Sequence, residues 1–279
     1  MSDLVCVDPA KAGCGEGPLW DVRRQCLWWV DIAGKTLHSF TPQTVTATQQ
    51  DMPFLVSALA VRHDGTLLIA TANGIGVLNT DNGEIDILHD PEPEIAGNRL
   101  NDIVVGPDGR LWAGTMSEGA RAATGALYSY GPDGVSKTMG NTTISNGLDV
   151  IDDGKRLYFI DSVPGILYVH EDGCWRALLS FDDADGMALD SQGTLWVALC
   201  NRSRVVSISP EGKILDEIVL PCEIVTSCAF GGENLSTLYI TTGTFTMSED
   251  EKAKNPLAGG LFAYSMSIPG RAPFEARWP

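Results

Sequence analysis

The sequence predicts an all-β fold, a six-bladed β-propeller, and two observations carry that reading. The first is a strand–turn–strand grammar that recurs along the 279 residues. It is plainest in NRLNDIVVGPDGRLWAGTM (98–116), VSALAVRHDGTLLIAT (56–71), ISNGLDVIDDGKRLYFID (144–161) and DADGMALDSQGTLWVAL (183–199), and looser in GEGPLWDVRRQCLWWVD (15–31) and VTSCAFGGENLSTLYIT (225–241). β-Branched and aromatic runs favour a pleated, half-buried surface, and Pro-Asp-Gly or Asp-Gly between them is turn chemistry. The second observation is the spacing. The leucine opening the second strand of each copy falls at Leu27, Leu67, Leu111, Leu157, Leu195 and Leu238, at intervals of 40, 44, 46, 38 and 43 residues. Repeats of about 40–50 residues built from short strands are propeller blades.

Taken in order, blade one is expected from Gly13 to Gln43, with Trp20, Trp28 and Trp29 as bulk for packing between blades. Blade two runs from Pro53 to Asp86, and the polar loop HDPEPEIAG leads to blade three, Asn98–Val135. Blade four spans Ser136–Asp172, blade five Cys174–Leu215 and blade six Val219–Ile268. Helical periodicity is weak except at 248–254, SEDEKAK, a serine-capped acidic start inside blade six. The N-terminal Leu4-Val5-Cys6-Val7 belongs to no repeat and is expected to close the ring by pairing with blade six. Six repeats use the whole chain, so residues 1–279 are expected to form one domain.

Composition narrows the function classes. Nineteen basic against 36 acidic residues give a formal charge of −17, which argues against nucleic acid or an anionic membrane as partner. No apolar run reaches the roughly 18 residues a membrane span needs. The start MSDLVCVDPAKAG lacks the basic and apolar regions of a signal peptide, and the seven cysteines form no CxxC pair. A cytoplasmic location with reduced thiols is the expectation.

Propeller geometry turns the repeats into a site. The first strand of each blade lines a central channel, and its start shares one mouth with the end of the second strand. Counting back 10 or 11 residues from each anchoring leucine lands on Glu16, Ser57, Asn101, Asn146, Asp185 and Ser227. All six are polar in otherwise apolar segments. A wet channel would by itself be polar, but the residue types say more. Carboxylates facing each other in a narrow channel repel and are partly desolvated, and a cation between them removes both costs. Oxygen-only donors suit Ca²⁺, Mg²⁺ or Mn²⁺, with Zn²⁺ or Fe²⁺ also compatible. A small set of protein ligands leaves open positions, as catalytic metal sites do. Arg99, two residues before Asn101, shares its direction on an extended strand. Glu118, Ser162, Asn201 and Arg202 follow second strands and return to the same mouth. There is no GxSxG elbow, and none of His38, His63, His89 and His170 falls in the column, so serine or cysteine nucleophile chemistry lacks its base. Cys14, two residues before Glu16, is read as a small packed residue rather than a ligand.

These residues resemble a known family. GEGPLWD, NRLND, AGTM followed by SE, SNGLD, DGMALD-x-x-G-x-LWVA, TSCAFGG and NPLAGGLF are similar to motifs of the SMP-30/gluconolactonase/luciferin-regenerating family of six-bladed propellers. The resemblance implies a metal-dependent hydrolase of sugar-acid lactones, a carboxylic ester hydrolase. It places metal ligands at Glu16, Asn146 and Asp185, with Asp185 also catalytic, and substrate contacts at Arg99, Asn101 and Glu118. The cofactor it implies is one divalent cation, Ca²⁺ foremost, with Zn²⁺, Mn²⁺, Mg²⁺ or Fe²⁺ as alternatives. Many members carry Pro or Val before the DGM aspartate, whereas Ala184 stands here behind Asp182 and Asp183, adding negative charge. The expected partner is a small sugar lactone, and the expected state a monomer or weak homo-oligomer. Two rivals stand beside this reading: a non-catalytic Ca²⁺-binding or sugar-sensing propeller, and an esterase or phosphotriesterase on the same fold.

Overall fold

The six repeats fold into six four-stranded antiparallel sheets, arranged as a six-bladed β-propeller, in a computed structural model that describes residues 4–120, 122–151 and 154–278. Residues 152–153, within the expected turn of the fourth repeat, lie outside the described residues. All six anchoring leucines are buried, none more than 3 % exposed. The chain divides into two compact units, residues 1–55 with 185–272 and residues 56–184 with 273–279. Each carries three sheets.

In the first unit the sheets begin with Gly15–Asp21, Ala184–Leu189 and Val225–Gly231. The expected closure is present: Leu4–Asp8 pairs antiparallel with Leu261–Ser265, setting Leu4 opposite Tyr264 and Cys6 opposite Phe262. The first sheet leans on the sixth through Trp20, whose ring stacks on Tyr239 at 6.0 Å between centroids. Aromatic pairs at that separation add to the area they bury. Trp29 is fully buried against His38, whereas Trp28 is half-buried and donates to Asp21.

In the second unit the sheets begin with Val56–Val61, Asn98–Val105 and Ser145–Val150. A C-terminal strap, which the repeat pattern does not announce, is laced to their turns. Ala276 N–H donates to Val61 O, His63 N–H to Ala276 O and Arg277 N–H to Gly109 O, while Phe274 packs on the apolar core.

The blade boundaries read from sequence need one correction. In the first five sheets the outermost strand is the fourth in chain order, whereas the sixth sheet takes the N-terminal Leu4–Asp8. Thr46–Asp51, Gly134–Thr142, Cys174–Ser180 and Ile214–Val219 complete sheets one, three, four and five, rather than linking blades or opening the next. The physical reason is burial. All six residues of Thr46–Asp51 are exposed, whereas all six of Val56–Val61 are buried. An outer strand is specified by backbone pairing and leaves little apolar pattern to read.

Bulges and captured carbonyls at the candidate site

The six column positions all lie on first strands, and five of those strands are irregular at that level. The ladder to the second strand shifts register after Glu16, between Val56 and Ala58, between Leu100 and Ile103, after Asn146, and between Val225 and Ser227. A β-bulge inserts an extra residue and re-aims its side chain. Glycine makes this possible in two blades, with Gly17 at φ 54° and Gly147 at φ 38°, a left-handed region costly for a residue with Cβ.

A repeated contact reaches the first strands. Ser57 Oγ donates to Leu100 O (3.2 Å), and Asn101 Nδ2 to Ser145 O (3.0 Å). Ser162 Oγ donates to Ala184 O (2.6 Å), and Thr226 Oγ1 to Gly15 O. In every case the captured carbonyl belongs to the residue just before a column position: Asn101, Asn146, Asp185 or Glu16. One blade thus holds the peptide that presents the next blade's polar side chain, and buried carbonyls need such partners.

Burial then divides the column. Ser57, Asn101 and Ser227 are buried, at 3 %, 9 % and 7 % exposure, while Glu16, Asn146 and Asp185 keep solvent contact. Ser57 spends its hydroxyl on carbonyls, and Ser227 packs so tightly on Gly186 that a Cβ there would come within 2.1 Å of its Oγ.

Within the second unit the polar side chains form one chain of hydrogen bonds. Arg99 Nη1 donates to Asn101 Oδ1 (2.8 Å) and Leu100 O (2.8 Å). Asn101 Nδ2 donates to Asn146 Oδ1 (2.6 Å), and Asn146 Nδ2 to Ser162 Oγ (2.8 Å). The two N–H donors of Asn101 are therefore spent on Ser145 and Asn146, and a substrate would meet only the remaining lone pair of its oxygen. Glu118 sits exposed just after its strand, its N–H donating to Gly97 O (2.6 Å).

Asp102, which no sequence pattern singled out, shares the bulge with Asn101. It accepts from Ile103 N–H (2.8 Å) and from the Leu148 amide. Its side chain retains some solvent contact but lies deep in the unit, and burial pushes the carboxyl up to about 7, with Asp149 adding to the rise. A raised carboxyl stabilises the fold fully only below its unfolded value near 4 and loses that contribution as pH climbs through 7. Asp102→Asn, which keeps an acceptor oxygen, is expected to gain melting temperature relative to the parent as pH rises from 5 to 8 in chelator-treated protein. A pH-independent difference would refute the assignment.

Within the first unit, Glu16 and Asp185 both raise the pKa of the Cys14 thiol, after its own burial and together with Asp31 and Cys200. Two column carboxylates thus bear on one buried point. Among the described residues, no three His, Cys, Asp or Glu side chains form a metal-holding group by themselves. A cation here needs neutral oxygen as well, which an asparagine amide supplies. All seven cysteines are free of disulfides. His63 is exposed at its turn, as expected.

The segment 243–260 rises beside this region. Cys14 bridges Gly243, Thr244 N–H donates to Gly13 O (2.8 Å), and Ala12 N–H donates to Gly259 O (2.8 Å), so both ends are tied to the residues that lead into the strand carrying Glu16. The expected helix is present as Glu249–Lys254, with Ser248 and Glu251 forming a reciprocal capping box. Asn255, at its C-cap, lines a cleft of about 530 Å³ with Asn201, Arg202, Ser203 and Glu223.

Comparison with known proteins agrees with this architecture. The chain is 35% identical to regucalcin of Xenopus laevis, over 97% of each chain. It is also 35% identical to a 6-deoxy-6-sulfogluconolactonase of Pseudomonas putida, over 96% of this chain and 97% of that one. The crystal structure of a calcium-binding regucalcin from Agrobacterium tumefaciens superposes with a TM-score of 0.92 at 27% identity, covering 98% of this chain and 96% of the other. Residues 14–244 match the SMP-30/gluconolactonase/LRE-like region, and the chain belongs to that family.

Proposed function

We propose that this protein hydrolyses sugar-acid lactones to the free acids, using one divalent cation held by Glu16, Asn146 and Asp185. The observation that carries the ligand set is the division of the column: these three positions keep solvent contact, while the serines and Asn101 are buried among protein partners. Relatives named for lactonase activity and for calcium binding support the substrate class and the ion, and oxygen-only donors favour Ca²⁺. Glu16, Asn146 and Asp185 would hold the cation, which when bound would supply Lewis-acid polarisation of the lactone carbonyl, a contribution of several kcal/mol.

The chain's own groups supply the rest. Arg99 orients ring oxygens or hydroxyls of the substrate, held in place by its bonds to Leu100 O and Asn101 Oδ1. Glu118, exposed beyond its strand, is a second substrate contact. Asp185 takes the proton of the attacking water as its oxygen adds to the carbonyl carbon. The ring C–O bond then breaks, and the departing alkoxide recovers a proton, leaving a hydroxy acid. The free thiols fit a reducing compartment, and we place the protein in the cytoplasm. Among the described residues no helix is long and apolar enough to cross a membrane.

The test is acid release, followed with a pH indicator, from a panel of five- and six-membered sugar lactones with and without chelator. Chelator-sensitive turnover of at least one lactone is expected. Calcium binding without turnover of any lactone would favour the non-catalytic, calcium-binding reading, and turnover indifferent to exhaustive chelation would remove the cation.

A further inference from the structure

We infer that Ser162 is a positioning residue that sets which face of the Asn146 amide is presented to the cation, an inference that rests on the ligand set proposed above. The hydrogen-bond chain from Arg99 to Ala184 has a direction, because both ends are one-way groups. A guanidinium only donates, so Asn101 must turn its oxygen to Arg99 and its nitrogen to Asn146. Asn146 must then answer with its oxygen and direct its own NH₂ to Ser162 (2.8 Å). At the far end the Ala184 carbonyl only accepts, so the Ser162 proton points there (2.6 Å) and the serine oxygen is left to receive the Asn146 amide. An asparagine flipped by 180° would meet a donor from Asn101 with its own NH₂. Each link excludes the flipped state of its neighbour.

One hydroxyl therefore performs two tasks. It engages the NH₂ of Asn146, leaving the second lone pair of Oδ1 available to a cation. It also anchors the peptide carbonyl immediately before Asp185. The other blades show what a single task looks like: Ser57 and Thr226 capture the carbonyls before Asn101 and Glu16 but receive no side-chain amide. Ser162 is half-exposed, unlike those two, so a small change of side chain there is not a core substitution. Groups that orient a metal ligand in this way typically change metal affinity by ~10–100-fold when removed.

The experiment titrates calcium chloride into chelator-stripped full-length protein by calorimetry, for the parent, Ser162→Ala, Ser162→Thr and Ser162→Val. Threonine and valine share a shape and differ in the hydroxyl, so they decide the matter even where the alanine variant folds poorly. The expected result is a Kd within about threefold of the parent for threonine and at least about tenfold weaker for alanine and valine. Melting temperatures of the stripped proteins should stay together for the threonine–valine pair. Equal affinity in threonine and valine variants, or an alanine variant matching the parent, overturns the inference while leaving the cation in place. A parent that binds no calcium overturns the ligand set itself, and this role for Ser162 with it.

Discussion

Asp185→Ala and Glu16→Ala are each expected to lower kcat/KM on the best lactone by more than tenfold, a loss exceeding about 1.4 kcal/mol, while the stripped protein stays folded. Both side chains keep solvent contact, so their loss is expected to leave the blade cores intact. Both carboxylates also bear on the buried Cys14, in a chain whose formal charge is already −17. Removing one relieves like-charge repulsion in the metal-free state, so its melting temperature should hold or rise. The opposite sign is expected in the presence of calcium, because a ligand that binds only the folded form stabilises it in proportion to its affinity. Two measurements check this: steady-state kinetics, and melting with and without the ion. Retention of more than a tenth of the parent kcat/KM by either variant would rule the column out as the catalytic site.

The second large effect is expected at Arg99. Arg99→Ala should raise KM for hydroxylated lactones by about tenfold or more, the scale of one lost charge-assisted hydrogen bond, with kcat changed far less. The reason is its position at the end of the hydrogen-bond chain. It donates to Asn101 and Leu100, whereas the carbonyls before Asn146 and Asp185 are secured by Asn101 and Ser162. Loss at KM with kcat retained marks binding that is equal in ground and transition states. A collapse of kcat at unchanged KM would instead put the guanidinium in the transition state. A lactone lacking hydroxyls near the ring serves as the control, since its KM should respond little to the substitution.

Local chemistry sufficed for much of this protein. The leucine spacing and the Asp-Gly turns announced six blades, because a repeat must bury the same face each time and the burial shows in the residues. The N-terminal strand was legible as an unpaired β segment, and the helix at Glu249–Lys254 as a Ser-x-x-Glu cap followed by good helix formers. The outer strands were not legible. Most of their residues face water, all six of Thr46–Asp51 and all but Ile218 of Ile214–Val219, so no alternation marks where a blade ends. The strap at Phe274–Arg277 was equally silent, since backbone hydrogen bonds to distant turns leave no trace in side-chain type.

At the candidate site the division is sharper. Sequence alone placed six polar residues on the first strands of six sheets, because that placement needs only the repeat length. Which of them keep solvent contact was decided by tertiary structure. The bulges turn Ser57, Asn101 and Thr226 toward carbonyls 43, 44 and 211 residues away in sequence, and no local window contains both ends of such a bond. The same holds for Ser162, an unremarkable serine after a strand until the fold sets it between the amide of Asn146 and the carbonyl of Ala184. A side chain's type and register follow from the chain order. Its orientation, and so whether it presents an oxygen or an NH₂, depends on neighbours that only folding brings within hydrogen-bond reach.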